Sequence, residues 1–462
     1  MDVLPDTGAW AEQTFADTDL GDPRRTRRLV QSAAQIAAHP EKAFTQIFTW
    51  NDLRGFYRLC DQSTATTAAV QAPHWQQTRQ AMSQQPLVLI LHDTTELDYS
   101  SHHHLAGRGQ IGNEFGKGFL QHNSLAILPQ PRQVLGLAFQ QWKVRQPAPA
   151  GETAYQRKRR QRESDLWADG FRGVGPAPEG SCWVDVCDRG SDDYEALRAA
   201  RHLHHHVLFR ASQNRLVFVT ADQDRQEYLL DHARTLPTQG SDTVEIPGHG
   251  GRAPRTAIVQ LAGAAIGMPA PAGTPQRKQQ PILPLWVIRI WEDQPPAGVQ
   301  EPLEWFLLCS LPSHTLAELK ERRDWYCCRW LIEIFHHIEK SGCQEEARRL
   351  ETAGRMETCV AILALIAVRI FQMRSALETK PQASAEEVGT ADEIAVLRRY
   401  VKHKATGFTV RDFVRGVANL GGFLGRKHDG DPGVRALWRG YQRLQDMVFA
   451  LRLLTSDADD SG

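Results

Sequence analysis

Five consecutive apolar residues, Leu87 to Leu91, constrain the fold of this chain more than any other feature. A short, continuous apolar run is typical of a β-strand that is buried on both faces, as in the middle of a parallel sheet. A second run of this kind, Cys182 to Cys187, lies further along the chain. The two runs predict buried strands of an α/β domain, which can be neighbours in one sheet.

The length of the chain requires more than one domain. Its 462 residues exceed the roughly 250 to 300 at which a single hydrophobic core stops growing. The eight cysteines have no spacing typical of a disulfide framework or zinc ladder, which favours a reducing compartment and a cytoplasmic location. The longest apolar run, Cys359 to Val368, is shorter than the roughly 20 residues that span a bilayer, so we expect no membrane partner.

The apolar pattern divides the chain into three regions. Residues 1–75 have helical periodicity and predict a small helical domain. Residues 76–355 combine buried strands with helices and contain a predicted β-rich insertion at about 213–311, where strand-like runs alternate with Pro and Gly clusters. Residues 356–462 are predicted to be helical again. The fold class is therefore α/β multidomain, with helical domains flanking a central domain.

Each buried strand ends at an aspartate, Asp93 or Asp188. If the strands are neighbours, both carboxylates meet at one edge of the sheet, where hard divalent cations find the oxygen ligands they need. Two such metal ions can stabilise both the attacking and the leaving oxygen of a phosphodiester. For either aspartate alone, a turn or helix cap is the more frequent role.

A long helix is predicted from Thr315 to Ser341. At 3.6 residues per turn, a phenol, two cations and a carboxylate fall within one stripe of this helix, formed by Tyr326, Arg329, Glu333 and Lys340. The stripe predicts one wall of a cleft. The alternative is a solvated face with an ion pair between Arg329 and Glu333.

The spacing of these four residues, Y-x2-R-x3-E-x6-K, resembles the signature of the insertion sequence four family of bacterial DDE transposases. Other blocks resemble the same family in the same order: LGDPRRTRRLV (Leu20 to Val30), HDTTELDY (His92 to Tyr99), VCDR (Val186 to Arg189), EPLEWFLL (Glu301 to Leu308) and LGGFLGRK (Leu420 to Lys427). The resemblance therefore covers nearly the whole chain.

This resemblance implies an RNase H-like catalytic core in which Asp93, Asp188 and Glu333 bind two Mg²⁺ ions, for which Mn²⁺ would substitute. It implies that a displaced base stacks on Trp305 while a hairpin forms. Arg210, Tyr326, Arg329 and Lys340 would contact DNA beside the metals. Three arginines of residues 1–75 would bind the transposon end: Arg24, Arg25 and Arg28. From the residues alone, Trp305 could equally be a core aromatic, and the three arginines a solvated helix face.

The function that the resemblance implies is cut-and-paste transposition. The enzyme would nick double-stranded DNA at the transposon ends, form hairpins, excise the element and join it to target DNA. A homodimer would hold the two ends, and the protein would act in the bacterial cytoplasm at the nucleoid. The alternative is a DNA-end-binding protein without catalysis, either an inhibitor of transposition or a host-adapted descendant.

Three local features leave further alternatives. Gly190 and Ser212 stand where the family usually has an acidic residue and a lysine, so end binding or step rates can differ. Histidines at 102–104 and 202–206 would suit zinc, although neighbouring histidines rarely converge on one ion. The basic run from Arg157 to Arg162 predicts either a DNA-backbone patch or a solvated helix.

The C-terminal region, predicted to be the dimerisation domain, has two apolar stripes at helical spacing. The first stripe consists of Phe413, Val417, Leu420 and Leu424, and the second of Leu437, Tyr441, Leu444 and Val448. One hypothesis is that the stripes pair between two subunits. The alternative is that both stripes pack within one subunit.

Overall fold

The computed structural model describes residues 6–459, except for 113–114, 148, 150, 154–162, 221–222, 247–253, 273, 275, 297–298, 300 and 427. The predicted basic run from Arg157 to Arg162 lies outside the described residues. The chain divides into two compact units. The helical unit consists of Met1–Gln84, Thr94–Lys158 and Leu331–Gly462, and the sheet unit of Gln85–Asp93 and Arg159–Trp330.

The helical unit begins with five helices: α1 (Thr7–Phe15), α2 (Pro23–Ala38), α3 (Phe44–Ile47), α4 (Trp50–Cys60) and α5 (Thr67–Ser83). Helix α2 starts where its sequence predicts, because the Asp22 side chain accepts a hydrogen bond from the Arg24 backbone and Pro23 occupies the first turn. Its apolar face is buried, as the periodicity predicted: Leu29, Ala33, Ile36 and Ala37. The N-terminal region is therefore helical.

A β-hairpin follows in the helical unit. Its strands β3 (Gly116–Pro129) and β4 (Arg132–Lys143) are antiparallel, and the short strand β2 (Gly109–Ile111) pairs with β3. Helix α5 and the later helix α11 (Ala353–Thr379) both pack on β4. A side chain on Gly136 would lie 2.3 Å from Thr78 Oγ1, so glycine permits the close approach of α5 to the strand.

The C-terminal part of the helical unit contains α10 (Trp330–His337), a π-helical turn (Ile338–Gly342), α11, α12 (Ala391–Tyr400), α13 (Val410–Leu420) and α14 (Val434–Asp459). Among the described helices, α11 is long and apolar enough to cross a membrane, but 94% of its most apolar window is buried inside the protein. Its apolar character on all sides reflects this burial.

The predicted apolar stripes of the C-terminal region pack within the subunit. All their residues except Leu424 are buried in one cluster, to which α12, α13 and α14 contribute. The hypothesis that these two stripes pair between subunits is therefore wrong. Leu424 is 65% exposed, because it follows the end of α13.

The sheet unit is a mixed sheet with the strand order β1–β5–β6–β12–β11–β10–β7–β8, and β9 pairs with β10. These strands are β1 (Leu87–Asp98), β5 (Cys182–Cys187), β6 (His206–Arg210), β7 (Leu216–Phe218), β8 (Gln226–Tyr228), β9 (Gly240–Ile246), β10 (Arg255–Met268), β11 (Leu283–Trp291) and β12 (Glu304–Cys309). The pairs β1–β5 and β5–β6 are parallel, whereas β6–β12 and the following pairs are antiparallel. The β-rich segment before residue 311 thus extends a parallel core.

The described residues of the sheet unit form four α-helices: α6 (Asp165–Val174), α7 (Tyr194–His202), α8 (Leu229–Thr235) and α9 (Leu316–Cys327). Helix α7 connects the parallel strands β5 and β6, and α9 packs on β10. Large side chains from the helices and the sheet share one buried cluster, among them Trp167, Phe171 and Phe209.

Two predicted boundaries differ from the structure. Strand β1 does not end at Asp93 but continues to Asp98. The single helix predicted from Thr315 to Ser341 is also wrong, because α9 ends at Cys327, α10 begins at Trp330 and a π-helical turn follows. Trp325 and Tyr326, before the break, belong to the sheet unit, whereas Leu331 and Phe335, after it, belong to the helical unit, and all four are buried. Because the helix is interrupted, one helical stripe no longer relates Tyr326 to Glu333 and Lys340.

Candidate active site

Asp93 and Asp188 occupy corresponding positions on adjacent parallel strands. The last paired residues of β1 and β5 are His92 and Cys187, and each aspartate follows directly. Both side chains are half-buried. Their charges reach the Cys187 thiol, whose pKa is raised by burial and further by Asp185, Asp188 and Asp93. The two carboxylates therefore lie at one edge of the sheet, as the sequence predicted.

Asp188 also caps a turn, which is the local role that the sequence left open as the alternative to metal binding. Its Oδ1 accepts a hydrogen bond of 2.7 Å from the Gly190 backbone, which caps the turn Arg189–Ser191. A side chain on Gly190 would approach Trp167 to 3.0 Å. The glycine at this departure from the family pattern therefore leaves room for the indole beneath the turn.

Three buried polar residues form a network within the strands that carry the aspartates. His92 Nε2 donates to Asp185 Oδ1 over 3.0 Å, and His205 Nδ1 donates to Asp185 Oδ2 over 2.9 Å. Burial opposes ionisation of Asp185, but the charge of His205 and both hydrogen bonds lower its pKa. Burial likewise opposes a charge on His205, whose pKa the interactions with Asp185 raise. The network joins β1, β5 and the start of β6.

Three of the predicted DNA-contacting residues form a cluster in the sheet unit. The rings of Trp305 and Tyr326 meet edge to face, with centroids 5.4 Å apart and an interplanar angle of 65°. The Arg210 guanidinium lies 6.0 Å from the centre of the Trp305 ring and hydrogen-bonds the Tyr326 hydroxyl. Tyr326 is buried, whereas Trp305 is half-buried. The indole thus retains a surface that a ligand can reach.

Electrostatic interactions connect this cluster with the aspartate edge. Burial raises the pKa of Tyr326, Asp188 raises it further, and the cations of Arg329 and Arg210 oppose this shift. Burial lowers the pKa of Arg210, and the neighbouring cations Arg189 and Arg329 contribute. The sheet unit therefore places two arginines, Arg210 and Arg329, and one aspartate around a single phenol, with Arg189 near Arg210. Such a mixture of charges suits a phosphodiester held beside a metal ion.

Glu333 and Lys340 belong to the helical unit. Glu333 lies half-buried in the first turn of α10. Lys340 Nζ donates to the backbone oxygen of Glu96 over 2.5 Å and lies 3.4 Å from Glu346 Oε1. These groups border a polar cleft of about 500 Å³, whose lining includes Thr94, Thr95 and Lys340. Nothing in the sequence spacing indicated Glu96 or Glu346 as neighbours of the lysine.

The three N-terminal arginines lie on or at the start of α2, where each already has a partner. Arg24 is exposed and forms an ion pair of 2.8 Å with Asp22, and hydrogen bonds from Arg24 lower the pKa of Asp22 to about 2. Arg25 donates to the Leu20 backbone oxygen over 2.9 Å. Arg28 pairs with Asp52 over 2.7 Å. Intramolecular partners therefore hold these side chains, and DNA phosphates would compete with them.

Ser212, which stands where the family usually has a lysine, is hydrogen-bonded to Asp192. Asp192 Oδ2 accepts hydrogen bonds from the backbones of Ser212 and Gln213 over 2.7 and 2.9 Å, and Oδ1 pairs with Arg215 over 2.5 Å. Asp192 is buried, and its carboxylate holds the segment that follows β6 in place.

Across the described ranges, no group of three or more His, Cys, Asp or Glu side chains is arranged to hold a metal ion. In the sheet unit, Asp93 and Asp188 supply two carboxylates at one edge of the sheet. Among the histidines considered for zinc, His205 is engaged with Asp185 and the Gly175 backbone oxygen, and His102 packs against Tyr99.

The buried network around Asp185 was missed by sequence reasoning. Its one sequence signal was a carboxylate in the middle of the apolar run Cys182 to Cys187, because an isolated charge in a buried strand requires partners. The partners themselves, His92 and His205, come from other strands and leave no pattern along the chain.

Two family models match the chain. The transposase DNA-binding domain matches residues 7–65, and the transposase Tn5 dimerisation domain matches residues 365–460. The two matches support a Tn5-like transposase family, with double-stranded DNA and a second copy of the chain as partners. Arg24, Arg25 and Arg28 fall within the DNA-binding match. Asp93, Asp188 and Glu333 lie between the two matched regions.

Proposed function

We propose that this protein is a cut-and-paste DNA transposase of the DDE type. The observation that carries the proposal is the pairing of β1 with β5, which brings Asp93 and Asp188 to one sheet edge in the segment between a DNA-binding and a dimerisation domain. The strands β1, β5 and β6 form a parallel trio, followed by an antiparallel β-rich extension. This order supports an RNase H-like core with the insertion before Glu333.

The metal site is proposed to consist of Asp93, Asp188 and Glu333. Two half-buried carboxylates directly after the last paired residues of adjacent parallel strands fit the oxygen ligands that Mg²⁺ prefers. When bound, two Mg²⁺ ions would activate the attacking hydroxyl group and stabilise the leaving oxygen of the phosphodiester. Glu333 is proposed as the third ligand on the basis of its place in the Y-x2-R-x3-E-x6-K spacing.

The remaining residues would hold and orient DNA. Arg210, Arg329 and Lys340 offset the phosphate charge, which favours a transition state with charge spread over the phosphoryl oxygens. The half-buried indole of Trp305, fixed by the Tyr326 ring, offers a surface on which a displaced base stacks. Stacking one base would stabilise the bent strand from which a hairpin end forms.

One experiment tests the activity and separates it from the catalytically silent alternative. The purified chain is incubated with Mg²⁺ and a duplex carrying the inverted repeat that flanks its coding sequence, and denaturing gels resolve nicks, hairpins and excised fragments. A transposase produces all three. A silent end-binding protein binds the duplex and produces none, whether Mg²⁺ or Mn²⁺ is supplied.

Substitutions then test the assignment of the metal ligands. Asp93→Ala, Asp188→Ala and Glu333→Ala should each abolish cleavage and leave end binding nearly intact, because the carboxylates serve the metal and the arginines serve the DNA. Asp231→Ala removes an exposed carboxylate from α8 and should cleave like the parent. Cleavage by any of the first three variants at more than a small fraction of the parent rate would refute that ligand.

A further inference from the structure

Lys340 is held at the rim of its cleft by two groups of the helical unit. Its ammonium donates to the Glu96 backbone oxygen over 2.5 Å, which sets its position, and lies 3.4 Å from Glu346 Oε1, which neutralises its charge. About 30% of both side chains remains exposed (29% for Lys340 and 32% for Glu346). The ion pair therefore faces solvent, where another anion can reach it.

Glu346 is itself fixed in place. Its Oε1 also accepts a hydrogen bond of 2.9 Å from the backbone of Asp98, at the end of β1. This bond holds the carboxylate beside Lys340 whether or not the lysine stays. Among the described residues, the charged groups around the cleft are three carboxylates and two cations: Glu96 and Asp98 accompany Glu346, and Arg145 lies 3.8 Å from Glu96 and accompanies Lys340. The cleft in the free chain thus repels an approaching phosphate.

We propose that Glu346 pairs with Lys340 in the free protein as an internal substitute for a DNA phosphate, and that bound DNA takes the lysine from this carboxylate, which stays in place. The inference rests on the proposed function, in which Lys340 binds a backbone phosphate. Glu346 then lowers the affinity for any DNA that offers only a phosphate, and Lys340 becomes available when the rest of the interface is engaged.

The exchange has a distinct dependence on salt. When a phosphate takes Lys340 from Glu346, the freed carboxylate takes up a cation from solution. This uptake offsets one of the counterions that DNA releases on binding. Without Glu346, the offset disappears, so binding should become both tighter and more sensitive to salt.

The test compares Glu346→Gln with Glu351→Gln. Glutamine retains an oxygen that accepts the Asp98 hydrogen bond but carries no charge. Glu351→Gln makes the same change of net charge on the same segment, where Glu351 pairs with Arg355, which Asp61 continues to hold. Binding to an inverted-repeat duplex is measured without divalent cations at several salt concentrations, with a shuffled duplex beside it.

Glu346→Gln is expected to bind the duplex roughly two- to fivefold more tightly than Glu351→Gln, the range that corresponds to one partly exposed ion pair. Its log-log salt slope should be steeper by up to about one unit. In a Lys340→Ala background, Glu346→Gln should have no effect beyond that of Glu351→Gln.

The outcomes separate the two proposals. If Lys340→Ala weakens binding but Glu346→Gln and Glu351→Gln behave alike, the inference is wrong and the proposed function stands. An effect of Glu346→Gln that persists without Lys340 likewise refutes the inference, because the carboxylate then acts on another group. If the parent does not prefer the inverted repeat over the shuffled duplex, the proposed function fails and the inference fails with it.

Discussion

The edge of the Trp305 indole meets the Tyr326 ring, with ring centroids 5.4 Å apart, and Arg210 contacts both residues. Tyr326 is buried on α9 and Arg210 ends β6, so residues of two different elements restrain the half-exposed Trp305 ring on β12. An aromatic ring restrained in this way loses little further freedom when a base stacks on it.

Trp305→Ala should spare the first nick and impair hairpin formation. Stacking of a base on an indole contributes roughly 1 to 3 kcal/mol, and the hairpin step is the one that requires a displaced base. Trp305→Phe keeps an aromatic face and should retain most of the hairpin product. The measurement is the ratio of hairpin to nicked DNA on a denaturing gel. Equal loss of both products in the alanine variant would indicate that Trp305 only supports the core.

Arg28→Ala should weaken end binding and flatten its dependence on salt by up to about one unit of log-log slope, because one phosphate contact is lost. Arg28→Lys keeps the charge and should keep the slope, although its affinity falls because the planar guanidinium is lost. Titration of an inverted-repeat duplex at several salt concentrations measures both quantities. An unchanged slope for Arg28→Ala would exclude Arg28 from the interface.

Glu339→Gln should make the stability less dependent on pH. Glu339 is fully buried and accepts a hydrogen bond of 2.8 Å from Gln121, and burial raises its pKa to about 8 although this bond opposes the shift. The folded state therefore keeps a proton that the unfolded chain loses above its ordinary pKa of 4.5. The resulting stability is complete below that pH and is lost as the pH rises towards 8.

Thermal unfolding of the parent and Glu339→Gln at pH 5 and pH 8 tests this prediction. One unit of pKa corresponds to about 1.4 kcal/mol, so the variant should gain at least about 1 kcal/mol relative to the parent between the two pH values. Glu386→Gln replaces an exposed carboxylate in the same unit and should change the free energy of unfolding equally at pH 5 and pH 8. If Glu339→Gln changes the free energy of unfolding by the same amount at pH 5 and pH 8, the folded state does not hold a proton on this carboxyl group.

Phe449→Asp should disrupt the homodimer without unfolding the subunit. Phe449 is 61% exposed on α14, within the matched dimerisation domain, and Met447 and Leu454 are exposed on the same helix. A charge at this position opposes burial against a second copy. Ile258→Asp introduces the same charge at a residue of similar exposure (69%) outside the matched domain and serves as the control. Two-end complexes on native gels should be lost in the first variant and retained in the second.

A truncation gives the complementary result. Deleting residues from Asp412 onward would remove α13 and α14, whose apolar faces form the buried cluster with α12. We expect this truncated chain to aggregate or unfold. A soluble, folded truncation that binds single ends would contradict the packing of these helices within the subunit.

Local sequence determined much of the secondary structure. The strand Cys182–Cys187 has the bounds that its apolar run predicted, because burial of a strand acts over a few neighbouring residues. The start of α2 follows from Asp22 and Pro23, since a cap requires only adjacent atoms. Asp93 and Asp188 could be predicted to lie at one edge of the sheet because both follow apolar runs of the same type, although β1 continues beyond Asp93.

The tertiary structure decided the rest. Nothing between Cys327 and Trp330 is a helix-breaking residue, yet α9 ends at Cys327 and α10 begins at Trp330, where the chain passes from the sheet unit to the helical unit. The spacing of the apolar stripes on α13 and α14 is compatible both with packing within one subunit and with pairing between two subunits. The partners of Asp185 and Lys340 come from distant strands and loops. Periodicity records which faces of an element are apolar, but what covers each face depends on the packing of the whole chain.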